Sequence, residues 1–212
     1  MCAPSFPPEV RVFTLWLPFL PTREISVRYW SIRFVVAGAA LFAGPAGVSA
    51  QALGSRIVGP AIEGFGAVYA VEGPSFATPT DLQYRVAFEV ALGTEEPDQV
   101  NPRIETLARF LNMHAQAGVA RENMKLALVL HGTAGKDALG DEGYRRRYGM
   151  DNPNAELIQA LREYGVRVVL CGQTQVHRGL NREELAHGVE VALSAMTALA
   201  AFQSQGYQVN PF

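Results

Sequence analysis

Residues 166–180 read VRVVLCGQTQVHRGL. A run of β-branched and aliphatic side chains ends in Cys171-Gly172. A polar segment carrying His177, Arg178 and Gly179 follows at once. A buried strand that releases a lone thiol at its C-terminal end, into a loop with basic residues, is where an open α/β sheet places chemistry. The rest of the chain is read by asking what builds such a sheet and what surrounds that thiol.

Upstream, the alternation of residues 83–92 (QYRVAFEVAL) passes into an apolar run and predicts the first core strand. Asn101-Pro102 supplies a helix cap followed by proline at the first helical position. Ile104, Leu107, Ala108, Leu111 and Ala115 then fall on one helical face, and Gly118 ends it. Residues 125–130 (KLALVL) form a second strand that delivers His131-Gly132 to its C-terminal end, and residues 133–151 read as irregular. Asn152-Pro153 or Asn154 caps a helix carrying Leu157, Ile158, Leu161 and Tyr164, stopped by Gly165. Residues 166–170 are the third strand. Residues 181–187 are a helical turn with Asn181 as cap and Glu184 at the capping-box position. A fourth strand over 189–195, a helix to Gln205, a stop at Gly206 and an edge strand over 207–212 complete the chain. Strands alternating with helices over short connections, joined by right-handed crossovers, give a mostly parallel five-stranded sheet with helices on both faces.

The chain has 212 residues, 49% of them hydrophobic and 18% charged, with a net charge of −2. That describes an ordered globular protein and argues against a nucleic-acid or anionic-membrane surface. Residues 34–47 (FVVAGAALFAGPAG) are an apolar run too short to span a bilayer comfortably. Arg28 and Arg33 precede it and Val48-Ser49-Ala50 follows, the order of a secretory signal peptide cleaved after Ala50. The proline-rich residues 1–26 fit that pattern poorly, so we expect translation to begin near Val27. Cleavage would leave 14 basic and 18 acidic residues, a net charge of −4, in a periplasmic or secreted protein with no membrane association. It would also leave one cysteine, Cys171, which cannot form an internal disulfide and is either buried and inert or free to react. Residues 51–80, rich in Gly, Pro and Ala, are an extended leader with a possible short hairpin at 67–71. Residues 81–212 form the α/β domain.

His131 and Cys171 both sit at C-terminal strand ends and so share one rim of the sheet. A thiol flanked by imidazole, guanidinium and loop amides has a lowered pKa and more thiolate, with His177 and Arg178 as the positive charge. A cysteine at a strand end is equally a small buried hydrophobe; spacing alone leaves both readings open. No C-x-x-C is present, which excludes a thioredoxin-type dithiol. A zinc site lacks ligand spacing, so no metal and no cofactor is expected. Residues 132–137 (GTAGKD) superficially resemble a P-loop, but two residues rather than four separate the glycines and Asp137 replaces Ser or Thr. ATP hydrolysis is rejected, although the loop could offer amides to a small anion. A Cys–His–Asp hydrolase using His131 or His177 with Asp137 or Asp141 has nothing that singles it out. Residues 144–148 (YRRRY) could stack on nucleic acid, but in an acidic chain they read as a solvated loop or a subunit contact.

Taken in order, several short motifs resemble the DsrE/DsrF-like family, which includes sulfur-relay proteins of the TusD and YchN type. They are His131-Gly132, Asn154-x-Glu156-Leu157-Ile158-x-x-Leu161-x-x-x-Gly165-Val166, Cys171-Gly172, Arg178-Gly179 and Gln205-Gly206-Tyr207. The resemblance covers roughly residues 83–212. It implies a flavodoxin-like three-layer α/β fold that assembles as trimers or hexamers. It also implies that Cys171, at the position matching the family's persulfide-carrying cysteine, accepts a sulfane sulfur from a donor protein and passes it to an acceptor. On that basis His177 and Arg178 stabilise the thiolate, while His131, Gly132 and Gly172 line the pocket. The rival expectation is a non-catalytic oligomer that binds a small ligand in the same pocket, or a structural oligomer with Cys171 buried.

Overall fold

The computed structural model describes residues 56–211. The expected signal peptide, cleavage site and translation start lie outside the described residues. Two small strands, β1 (Arg56–Ile57) and β2 (Val68–Tyr69), pair antiparallel. The expected hairpin at 67–71 is therefore half of a ladder whose other strand lies eleven residues upstream. The main sheet contains β3 (Tyr84–Val90), β4 (Met124–Leu130), β5 (Arg167–Cys171), β6 (Glu190–Ala192) and β7 (Gln208–Pro211), in the spatial order β6-β5-β4-β3-β7. All pairings in it are parallel.

The sheet separates two cores because strand side chains alternate between faces. One face carries Phe88, Val90, Leu126, Leu128, Leu130, Val168 and Leu170, packed on two helices, α1 (Pro102–Gln116) and α3 (Ala155–Tyr164). Ile104, Leu107, Leu111, Leu157 and Leu161 on those helices are fully buried. Burying each such side chain is worth roughly 1.5–3 kcal/mol, so this face carries most of the hydrophobic stabilisation. The opposite face carries Ala87, Ala127, Val129, Val169 and Cys171, under α5 (Ala195–Ser204) through Ala195, Ala198 and Phe202. The result is a three-layer α/β sandwich with the thiol in the thinner layer.

The expected caps take more elaborate forms. Asn101 Oδ1 accepts from the Arg103 amide at 3.0 Å, as a cap does, while its Nδ2 donates to Asp137 Oδ2 at 2.7 Å. Asn154 begins α3 without capping it; its Oδ1 instead accepts from the Asn101 amide at 2.7 Å and its Nδ2 faces Asp137 Oδ1. Asn152 closes the group by donating to the carbonyls of Asp137 and Leu139. The N-termini of α1 and α3 are thus tied to one buried carboxylate. Burial pushes Asp137 up to about 6, against the opposing pull of the Asn101 hydrogen bond and the Lys136 charge.

Residues 133–151 are not irregular. They hold 3-10 turns over Gly132–Ala138 and a helix, α2 (Asp141–Tyr148), closed by Gly149 in the left-handed region. Residues 144–148 lie on this helix and its arginines are engaged. Arg147 reaches Glu184 Oε2 at 2.8 Å, Arg146 reaches Glu184 Oε1 at 3.1 Å, and Arg145 pairs with Asp151. Glu184 keeps its capping-box bond, accepting from the Asn181 amide at 3.0 Å. Arg147, with that amide and Arg146, holds the Glu184 carboxyl down to about 2. Lys136 is also committed: its ammonium donates to the Thr94 carbonyl at 3.0 Å and lies 5.6 Å from the centre of the Tyr148 ring.

The segment before β3 is fastened to α1 by one side chain. Asn112 Oδ1 accepts from the amides of Ala61 and Ile62 at 3.0 and 2.8 Å, and its Nδ2 donates to the carbonyls of Ile62, Phe65 and Gly66. Gly66 rests directly on the helix, with a positive φ of 68°. A Cβ there would fall 2.5 Å from the Ala108 backbone.

Candidate thiol site at the carboxyl edge of the sheet

Cys171 is the last residue of β5 and is paired in register with Ala192 of β6. The polar stretch after it begins a short helix, α4 (Gly172–His177), at once, where a loop was expected. The thiol therefore stands at a helix N-terminus. No cap bond joins Sγ to the first turn, but the groups around it act on its charge. Burial pushes the Cys171 thiol up, and the opposing groups outweigh it: the Thr174 amide, the Thr174 hydroxyl, then the amides of Ala195 and Gln173. The net effect holds the thiol below its ordinary value. Donors aimed at the charged form favour the thiolate.

Three of these donors come from α4, and the fourth arrives from another element. Ala195 is the first residue of α5, capped by Ser194 Oγ, which accepts from the Thr197 amide at 3.0 Å. Gly172 lets α5 come this close. A Cβ at Gly172 would sit 2.5 Å from the Ala192 carbonyl oxygen and 3.2 Å from that of Leu193. Any side chain here would force the β6–α5 connection away from the sulfur. The expected strand over 189–195 is shorter, Glu190–Ala192, because Ser194 is spent as this cap.

Thr174 links the end of β5 to the end of β4. Its Oγ1 accepts from the Gly132 amide at 3.1 Å, and the same hydroxyl helps hold the Cys171 thiol down. Gly132 adopts a positive φ of 54°, and a Cβ there would fall 2.6 Å from the Ala91 carbonyl oxygen. Such a chain of donors polarises each member toward the sulfur.

His131 follows Leu130, which pairs with Leu170, so His131 stands beside Cys171 in the ladder. Its Nε2 lies 2.9 Å from Glu89 Oε1 of β3. Glu89, His131 and Cys171 thus occupy the same face at the ends of three neighbouring strands. His177 ends α4 and Arg178 follows it, both exposed, and the Arg178 side chain turns back toward Gly135 beside Thr174. Cys171, Gly132, Gly172 and His131 lie at the adjoining ends of β4 and β5, and neither His177 nor Arg178 is among the groups that act on the thiol. Thr174, the Ala195 amide and Glu89 were not singled out from the sequence. The spacing of Cys171 and Thr174, cap to third helical residue, was the one available signal, since the other two contributions depend on tertiary contact. Among the described residues, no group of three or more His, Cys, Asp and Glu side chains is gathered closely enough to hold a metal ion.

The family profile described as DsrE/DsrF-like matches residues 86–211. The chain belongs to the DsrE/DsrF-like family. Two solved structures resemble it. One is the protein of unknown function MTH1491 from Methanobacterium thermoautotrophicum, at 19% identity and a TM-score of 0.45. The other is the ychN protein from E. coli, at 18% identity and a TM-score of 0.46. Each likeness covers 61% of this chain and 99% of the other. No curated protein matches the chain. Among the described residues, no helix is long and apolar enough to cross a membrane.

Proposed function

We propose that this DsrE-like protein is a sulfur carrier, in which Cys171 receives a sulfane sulfur as a persulfide and passes it on by thiolate exchange. The donor arrangement around Sγ carries this reading. A cysteine kept merely as a small hydrophobe is raised by burial and stays protonated. Cys171 is only 6% exposed, yet the groups facing it outweigh that burial and lower its thiol. In the transfer, Sγ as thiolate attacks the outer sulfur of a donor persulfide, the donor S–S bond breaks, and the donor leaves as a thiolate. Handing the sulfur to an acceptor thiolate reverses the same exchange. Membership of the family supports the assignment, and so does a register that sets Gly132, His131 and Cys171 along one rim. We further propose that the protein works after export, in the periplasm or outside the cell, as a trimer or hexamer that meets separate donor and acceptor proteins.

The test is the alkylation rate of the purified protein against pH, with Cys171→Ser as the blank, followed by intact mass after polysulfide treatment. We expect a thiol that titrates below a free cysteine and a mass gain of one sulfur that the variant lacks. The low exposure of Cys171 favours the second reading, a structural or ligand-binding oligomer. A thiol that alkylates only after unfolding would establish that reading instead.

A further inference from the structure

Resting on the carrier reading above, we propose that His131, held by Glu89, is the proton carrier of the transfer, with His131 acting on the sulfur atoms and Glu89 as its positioning residue. A carboxylate has only acceptor oxygens, so the His131 nitrogen 2.9 Å from Glu89 Oε1 must be the one bearing hydrogen. Glu89 thereby fixes the tautomer. The proton gained and lost must be on Nδ1, which has no hydrogen-bond partner among the described residues.

The second step is position. Neighbouring parallel strands lie about 4.8 Å apart, and His131 and Cys171 each follow one residue after the Leu130–Leu170 pair. Glu89 pairs with Val129, on the same face as Val129 and Val169. The three side chains share one face of β3, β4 and β5, with Glu89 two residues back along the strands from His131 and Cys171. His131 and Glu89 are partly open to solvent, so an incoming sulfur, which a persulfide carries about 2 Å beyond its own sulfur, reaches the thiol from their side. The place also fits the fold. Successive connections from β3 to β6 step in one direction, and β7 returns to the other side of β3. Open α/β sheets admit ligands at the carboxyl ends of the strands beside such a reversal, and Glu89 stands on β3 next to it.

Protons and electrons balance without any other reactant. His131 Nδ1 takes the proton from Cys171 Sγ. The thiolate attacks the outer sulfur of a low-molecular-weight persulfide, R–S–SH, forming the Sγ–S bond. The electron pair of the broken S–S bond goes to R–S, which takes the proton back from Nδ1 as it leaves. The products are Cys171–S–SH and R–SH, with no net oxidation. The donors from Thr174, Gln173 and Ala195 stabilise charge on Sγ, and none of them can return a proton to the leaving sulfur. That task needs a separate acid.

The leaving group gives the test. The full chain, His131→Asn and Glu89→Gln are compared for loading by glutathione persulfide, whose departing alkyl thiolate needs a proton. The same proteins are then compared for reaction with 5,5′-dithiobis(2-nitrobenzoate), whose departing aryl thiolate needs none. We expect persulfide loading to fall on the order of 100-fold in His131→Asn, the lower range for losing a general acid–base group, and about 10-fold in Glu89→Gln. The aryl disulfide rate should stay within about threefold in both. Equal loss on the two probes would make the pair merely structural and overturn the proposal, as would no loss on either. A native protein that reacts with the aryl disulfide but gains no sulfur would refute the carrier reading itself. Loading in the native protein that persists unchanged in both variants would refute only the proton carrier.

Discussion

Thr174→Val removes one hydroxyl and preserves the branched shape of the side chain, so it isolates what that hydroxyl does for Cys171. The methyl that packs toward Gly135 remains in place. Two interactions are lost: the O–H directed at Sγ, and the acceptor for the Gly132 amide at 3.1 Å. A hydrogen bond to a charged group contributes roughly 1.5–3 kcal/mol. At about 1.4 kcal/mol per factor of ten, the thiolate population on the acid limb of the titration should fall roughly 10- to 100-fold. The observed rate falls less, because a more basic thiolate is intrinsically more nucleophilic, with a Brønsted slope of about 0.4–0.5. The two effects oppose each other and the population term wins. Iodoacetamide alkylation below the midpoint should therefore slow by roughly 3- to 10-fold, while the midpoint itself moves to higher pH. Thr174→Ser keeps the hydroxyl and should titrate like the native protein. A Thr174→Val curve that overlays the native one would refute the reasoning, and so would a Thr174→Ser curve displaced equally far.

Two further predictions concern stability. Asp137 is fully buried and raised from 3.8 to about 6, so the folded protein holds its proton to higher pH than the unfolded chain. Its contribution is complete below about pH 4 and is lost as the pH rises to 6, a change of about 3 kcal/mol. Urea titrations from pH 4 to 7 should show midpoints falling over that window in the native protein and much less in Asp137→Asn. The second prediction is that Asn112→Ala strands five backbone groups of residues 61–66. Because that segment can still reach water, the cost should be about 2–3 kcal/mol rather than the sum of five buried groups at roughly 1–3 kcal/mol each. Hydrogen exchange should speed up in 59–66 while protection of β4 is lost only in step with global stability.

The parts of this structure that were legible in the sequence are those that physics writes locally. Strands β3, β4 and β5 are apolar runs with few competing interpretations, and Asn101-Pro102, Gly165 and the Asn181–Glu184 pair punctuate the elements as capping chemistry requires. Helix α2 escaped because DEGYRRRY presents almost no apolar face. Its support is tertiary, through Tyr144, whose hydroxyl donates to the Pro97 carbonyl at 2.7 Å, and through the arginines gathered on Glu184. Helix α4 escaped because six residues carry too little periodicity to register. At the site, Cys171 and His131 were visible as strand-end residues. Glu89 was not, because only the β3–β4 register makes it a neighbour of His131. His177 and Arg178 attracted notice as the nearest charges in the sequence, but the groups that act on the thiol are the turn amides and the Thr174 hydroxyl.

The largest gap between sequence and site lies in groups that have no residue identity at all. Three of the four donors around Cys171 are backbone amides, placed by helical or tertiary geometry and not by side-chain identity: those of Thr174, Ala195 and Gln173. What encodes the Ala195 contribution is Gly172, a residue that touches no substrate and whose only property is the missing Cβ. With 2.5 Å between that absent atom and the Ala192 carbonyl oxygen, any larger residue must displace the β6–α5 connection by roughly an ångström to restore ordinary contact. A hydrogen bond does not survive such a displacement. Reactivity at Cys171 is thus set by the docking of α5 as well as by the local turn, and a change in how that helix seats would tune the thiol without altering a residue beside it. The energetic reason is the balance already at work: burial and donation act on the same sulfur with opposite sign, so the removal of one donor at constant burial moves the thiol toward the inert state. Cys171 sits close to that balance, and Gly172 is the residue that holds it there.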